Sequence, residues 1–128
     1  MPVDSLPGPV RHFILSSVPT VPYLEAVLLL RSDPAQAWDA PGAAARLYLR
    51  PAVVRELLAQ LASAGIAVPV PGQEGSYRYA PAPDLAAMLE QVAAAYSSDL
   101  LRVTELIHSR IDKRAQQFAD AFRWRKEP

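Results

Sequence analysis

The stretch Trp38-Asp39-Ala40-Pro41-Gly42-Ala43-Ala44-Ala45-Arg46-Leu47, then Tyr48-Leu49-Arg50, then Pro51-Ala52-Val53-Val54-Arg55-Glu56-Leu57-Leu58-Ala59-Gln60-Leu61 through Gly65-Ile66, decides how this chain is read. Asp39 stands where an N-cap belongs, because its carboxylate can accept from a first-turn N–H. Pro41 follows inside that turn, where a missing N–H costs nothing. Ala43, Ala44 and Leu47 then fall on one helical face, which predicts a short helix with one buried side. Tyr48-Leu49-Arg50 makes a turn, with Leu49 tucked inward. Pro51 opens a second helix, and Val54, Leu57, Leu58 and Leu61 supply its apolar stripe. Gly65 suits the left-handed residue that closes a helix, and Ile66 returns to the core.

Residues 67–70 and 76–80 alternate like short strands around Pro71-Gly72-Gln73-Glu74-Gly75, which predicts a hairpin with turn residues at its tip. Pro69 and Pro71 confine the first strand to a sheet edge. Two helices, a tight turn and a hairpin in this order spell a winged helix-turn-helix. The expected fold is mainly α, with a small β-hairpin wing and a long C-terminal helix.

The long helix comes from residues beyond Asp84, a natural N-cap behind Pro83. Leu85, Leu89, Val92, Tyr96, Leu100, Val103 and Ile107 recur at three- and four-residue steps as far as Arg110. That predicts one helix of about 27 residues, or about 40 Å. Its stripe exceeds what a small winged module covers, so it is expected to pair with a second copy across 84–110, the alternative being that it folds back on the N-terminal helices. Upstream, residues 1–9 read as an irregular arm and 10–17 as a short helix with Phe13 and Ile14 on one side. Thr20 is a plausible N-cap for a helix through Tyr23, Leu24, Val27, Leu28 and Leu30, too apolar all round for a surface element. The chain is thus expected to be one domain: 1–20 arm and short helix, 21–81 winged module, 84–128 long helix and tail.

The bulk composition narrows the function classes. With 128 residues, 51% hydrophobic and 20% charged, the chain can bury a core. Cations and anions balance at 13 each, unlike a protein that merely coats nucleic acid. Without cysteine there is no thiol nucleophile, no thiolate metal site and no disulfide. The longest purely apolar run, 26–30, is far short of a membrane span, and no export pattern opens the chain; a cytoplasmic location is expected.

Catalytic chemistry finds no foothold. His12 and His108 are too far apart in the sequence for any metal-ligand spacing. The glycines form no phosphate-cradling loop or dinucleotide fingerprint, and the pairs Ser16-Ser17 and Ser97-Ser98 carry no nucleophile signature. No enzyme activity, metal or cofactor is expected.

Nucleic-acid chemistry fares better. Placing Val54, Leu57, Leu58 and Leu61 inward leaves Arg50, Ala52, Val53, Arg55, Glu56 and Gln60 outward on the helix that would enter a major groove. Arg50 and Arg55 suit phosphate or guanine, Gln60 a base edge or backbone, and Ala52 and Val53 at most a thymine methyl. Glu56 needs a cytosine amine or an arginine, and Arg78 is the cation nearest the wing tip. The densest basic cluster lies in the tail: Arg110, Lys113, Arg114, Arg123, Arg125 and Lys126, against Asp112 and Asp120, with Phe118, Phe122 and Trp124 interleaved. That tail is read as a phosphate-binding arm or a docking element for a partner protein, against the plainer reading of a solvated helix face.

The run from Trp38 to Leu47, followed by the Val54, Leu57, Leu58, Leu61, Gly65, Ile66 framework, resembles the helix-turn-helix of bacterial winged-helix regulators of the MarR-like kind. More closely, residues 21–31 (VPYLEAVLLLR) and 117–125 (QFADAFRWR) resemble a group of small uncharacterised bacterial winged-helix proteins. The resemblance implies a winged-helix fold, commonly dimeric, and usually transcriptional control by operator binding. It places the groove-facing role on Arg50, Ala52, Val53, Arg55 and Glu56. DNA-binding members generally carry hydroxyl, amide or basic side chains where Ala52, Val53 and Glu56 stand, and a basic wing where Glu74 stands. Two expectations are therefore carried forward: a dimeric regulator of double-stranded DNA, or a winged-helix module that binds a protein partner.

Overall fold

The computed structural model describes residues 6–110, which are mainly helical with one two-stranded antiparallel sheet. They divide into two compact units, one made of residues 22–90 and the other of the segments before and after it.

In the first unit, helix α3 (Ala40–Leu47) starts as its sequence demands. Asp39 is extended (φ −102°, ψ 173°) and its Oδ1 accepts from the Gly42 N–H at 2.8 Å. The cap sits so close that a Cβ on Gly42 would lie 2.9 Å from Asp39 Oδ1, so a larger residue here would make the capping carboxylate shift. Ala40, Ala43 and Ala44 are buried, while Leu47 and Leu49 are half-buried. Tyr48 ends the helix in the left-handed region (φ 59°, ψ 41°) and its N–H returns to the Ala44 carbonyl. Arg50 is extended, as a residue before proline must be, and Pro51 opens α4 (Pro51–Ser63).

Val54, Leu57, Leu58 and Leu61 are all buried on α4, the expected stripe. The helix ends in paired bonds from Gly65 N–H to Ala62 O (3.1 Å) and Ile66 N–H to Leu61 O (2.9 Å), the former with Gly65 at φ 80°. This is the double closure that turns the chain by a left-handed glycine and drops the next apolar residue, Ile66, into the core. Strands β1 (Ala67–Pro69) and β2 (Tyr77–Tyr79) pair with Ala67 opposite Tyr79 and Pro69 opposite Tyr77. The tip between them is two successive turns, Gln73 N–H to Val70 O and Ser76 N–H to Gln73 O. On its other side β2 carries a third short rung: Trp38 and Tyr77 exchange N–H···O bonds of 2.8 and 2.9 Å. β1 is accordingly an edge, as Pro69 requires, and β2 is central.

Helix α2 (Val21–Ser32) buries Tyr23, Leu24, Ala26, Val27 and Leu30, in line with its all-round apolar sequence. Near its end Arg31 grips Glu90 of α5 (Pro83–Ser98) with a bidentate pair, Nε to Oε2 at 2.8 Å and Nη2 to Oε1 at 2.7 Å.

In the second unit, α1 (Gly8–Ser17) begins two residues ahead of the expected start, behind Pro7, and buries Val10 and Ile14; Phe13 is half-buried. The long helix expected over 84–110 is interrupted. α5 stops at Ser98, and α6 occupies 100–110. Asp99 makes the break: its Oδ1 accepts from the Arg102 N–H at 3.3 Å, so a side chain caps a new first turn inside what the periodicity reads as one helix. Ser98 adds to the interruption by bonding back to the Ala95 carbonyl. The apolar stripe is broken at the same place, since Leu100 is 51% exposed and Leu101 74%, whereas Val103 and Ile107 are fully buried.

Candidate nucleic-acid interface

Helix α4 presents a continuous outer face. Ala52, Val53, Arg55, Glu56, Ala59 and Gln60 are all exposed there, with Arg50 exposed at the N-cap. The side chain of Arg50 does not cap the helix, Pro51 has no N–H, and the Val53 and Val54 N–H groups bond to the Arg50 carbonyl, so the Ala52 N–H is the first-turn donor left open at the positive end of the helix dipole. Among the described residues neither Arg50 nor Arg55 is engaged in an ion pair. Two guanidinium groups therefore stand ready for an anion within the leading turns of α4. Gln60 lies ten residues beyond Arg50, about 15 Å along the axis, and takes no part in the same cluster.

The other arginines of the module differ in setting. Arg46 lies over the Trp38 ring, 5.7 Å from its centroid, which draws its charge toward the base of the wing. Trp38 itself is buried, with an indole N–H that has no hydrogen-bond partner among the described residues. Arg78 is exposed on β2.

Tyr48 is the surface residue that sequence reading passed over. It is 93% exposed in the turn immediately ahead of α4. The signal was present, since a short turn with Leu49 pointing inward leaves its neighbour pointing out. With Val53, at 37% exposure, it gives the entry to α4 an apolar side next to Arg50.

Between α3, α4 and the wing tip lies a cavity of about 410 Å³, lined by Asp39, Ala40, Pro41, Arg55, Leu58, Glu74, Gly75 and Tyr77. Arg55 thus shares a cavity with carboxylates from the α3 cap and from the wing, while Arg78 lies outside its lining. Tyr79, further along β2, has its hydroxyl buried without a partner, and its pKa is pushed up by burial first and by the nearby Glu90 charge second.

Of the tail cluster, only Arg110 falls among the described residues. It is half-buried, with Nη1 enclosed and without a hydrogen-bond partner there. Lys113, Arg114, Phe118, Phe122, Arg123, Trp124, Arg125 and Lys126 lie outside the described residues. His12 and His108 are both exposed, and no three His, Cys, Asp or Glu side chains converge among the described residues. No single described helix is long and apolar enough to cross a membrane.

The architecture is that of a winged helix-turn-helix. No protein-family model matches the chain, and no curated protein matches it. Among solved structures, the crystal structure of RV1404 from Mycobacterium tuberculosis is similar over 85% of this chain and 68% of that one, with 17% identity and a TM-score of 0.47.

Proposed function

We propose that this chain is a DNA-binding transcriptional regulator that acts as a dimer and reads double-stranded DNA with α4. The observation that carries the reading is the leading end of α4: Arg50 and Arg55, exposed and without ion pairs among the described residues, at the positive end of the helix dipole. A helix N-terminus flanked by guanidinium groups favours phosphate through both hydrogen bonding and the helix dipole. Its place as second helix of the turn motif gives it a route into a major groove. Glu56 and Glu74 oppose it, so affinity rests on few cations and their number sets how fast it falls with salt.

Dimerisation is assigned to α5 and α6, where Leu100 and Leu101 stand exposed. Reading an operator as a symmetric pair requires two copies of α4 about one helical turn of DNA apart, near 34 Å. Fluorescence anisotropy with DNA flanking the chain's own coding region, at about 50 mM and about 200 mM salt, tests the reading. Arg55→Ala should weaken specific binding by about 1–3 kcal/mol and flatten the salt slope. No binding to specific or bulk DNA at the lower salt would end it.

A second reading, a module that binds a protein partner, is favoured by the exposed apolar entry to α4, Tyr48 with Val53 and Ala52. On that reading Tyr48→Ala abolishes capture of the partner while Arg55→Ala leaves DNA retention as weak as in the parent.

A further inference from the structure

The cavity between α3, α4 and the wing has a charge pattern that DNA binding does not explain. Arg55 contributes a guanidinium from α4, Glu74 a carboxylate from the wing tip and Asp39 a second carboxylate from the α3 cap. Arg55 and Glu74 line the same space yet make no ion pair with each other, so each keeps its hydrogen-bonding capacity. Asp39 Oδ1 accepts from the Gly42 N–H, which leaves its Oδ2 and the Glu74 carboxylate as open acceptors in the lining. The remaining lining is Ala40, Pro41, Leu58, Gly75 and the half-buried Tyr77, largely apolar.

Ligand classes can be sorted on charge. A simple anion such as phosphate gains Arg55 but meets two carboxylates, and a simple cation gains the carboxylates but meets Arg55. A molecule with both charges a few ångströms apart satisfies all three. The volume of about 410 Å³ lies at the lower end of the range of small-molecule pockets, about 300–1,000 Å³. From this we propose that the cavity is a binding site for a small zwitterion of the α-amino-acid class with an apolar side chain. Its carboxylate sits on Arg55, its ammonium between Glu74 and Asp39, and its side chain against Leu58, Pro41 and Tyr77. The site stands or falls independently of DNA binding, although a bound zwitterion would occupy Arg55 and so deny it to phosphate.

The test is isothermal titration calorimetry on the full chain with the apolar L-amino acids, each beside its N-acetyl and carboxamide derivatives. Concentrations up to about 10 mM reach the millimolar dissociation constants that few-contact ligands show. The expected result is saturable one-site binding of at least one free amino acid, weakened tenfold or more by blocking either end. Arg55→Gln and Glu74→Gln, both at exposed positions, should each weaken it tenfold or more without moving the thermal midpoint of the unliganded protein. Absence of saturable binding across the series overturns the proposal, as does equal binding of the blocked derivatives. Unchanged affinity in both variants overturns it too. DNA titrations in the absence of amino acid report separately on the role proposed for α4.

Discussion

Tyr48 sits at φ 59°, ψ 41° with its side chain 93% exposed, and that combination makes a sharp stability prediction. A residue with a Cβ in the left-handed region carries about 1–2 kcal/mol of local strain. The exposed ring forms almost no packing that its removal would forfeit. Glycine at this position relieves the strain but adds unfolded-chain freedom worth about 0.5–1 kcal/mol. The net gain for Tyr48→Gly is therefore about 0.5–1 kcal/mol, which for a chain of this size raises the thermal midpoint by about 2–4 °C. Alanine keeps the Cβ and should leave stability within about 0.5 kcal/mol of the parent, while asparagine, more tolerant of this backbone, should fall between the two. The assay is thermal and urea unfolding of the four proteins side by side. The order Gly above Asn above Ala and Tyr follows only if strain without packing governs the position. If Tyr48→Gly lost 1 kcal/mol or more, the ring would have to be packed or the backbone right-handed, and the account of the turn would be wrong.

Other positions give equally direct checks. Asp39→Ala removes the side-chain bond to Gly42 and should cost about 0.5–2 kcal/mol in urea unfolding. Leu61→Ala, at a fully buried position on α4, should cost about 2–5 kcal/mol, and a cost below 1 would mean that the stripe is not core. Glu90 is held below its ordinary carboxylate value of 4.5 chiefly by the hydrogen bond from Arg31. A group so depressed in the folded state stabilises above its unfolded pKa and loses that contribution as pH falls through the folded value. Arg31→Met should therefore lower the thermal midpoint at pH 7, with the difference from the parent closing between about pH 5 and pH 3. A difference that persisted at low pH would have to come from something other than this ion pair.

The elements from Asp39 to Tyr79 were legible because each carries its own local instruction. Asp39 caps, Pro51 starts, Gly65 stops, and Val54 through Leu61 repeat with the helical period. Trp38 was not legible in the same way: its pairing with Tyr77 is a long-range backbone contact, and a lone residue offers no alternation to reveal a strand. The break at Asp99 was hidden for the opposite reason. Leu100 keeps the apolar spacing of the stripe, and a single aspartate in a helix reads as an exposed polar residue until its side chain is seen to cap Arg102. The outer face of α4 followed from the stripe by elimination. The grouping of Arg55 with Glu74 and Asp39 did not, since it depends on where the hairpin tip lies relative to the helix.

The rung between Trp38 and Tyr77 has a mechanical consequence. β2 is paired along both edges, with β1 on one side and, through the Tyr77 N–H and C=O, with Trp38 on the other, and this second tether runs directly into Asp39 and the start of α3. The base of the wing and the entry to the turn motif therefore move as one body, leaving only the tip around Gly72 to Gly75 to adjust by itself. A partner laid across this face meets a surface that is already assembled, so little ordering entropy is lost on contact. Selectivity then rests on which side chains the rigid face displays, and exchange of single residues such as Arg55 or Glu74 retunes it without rebuilding the frame.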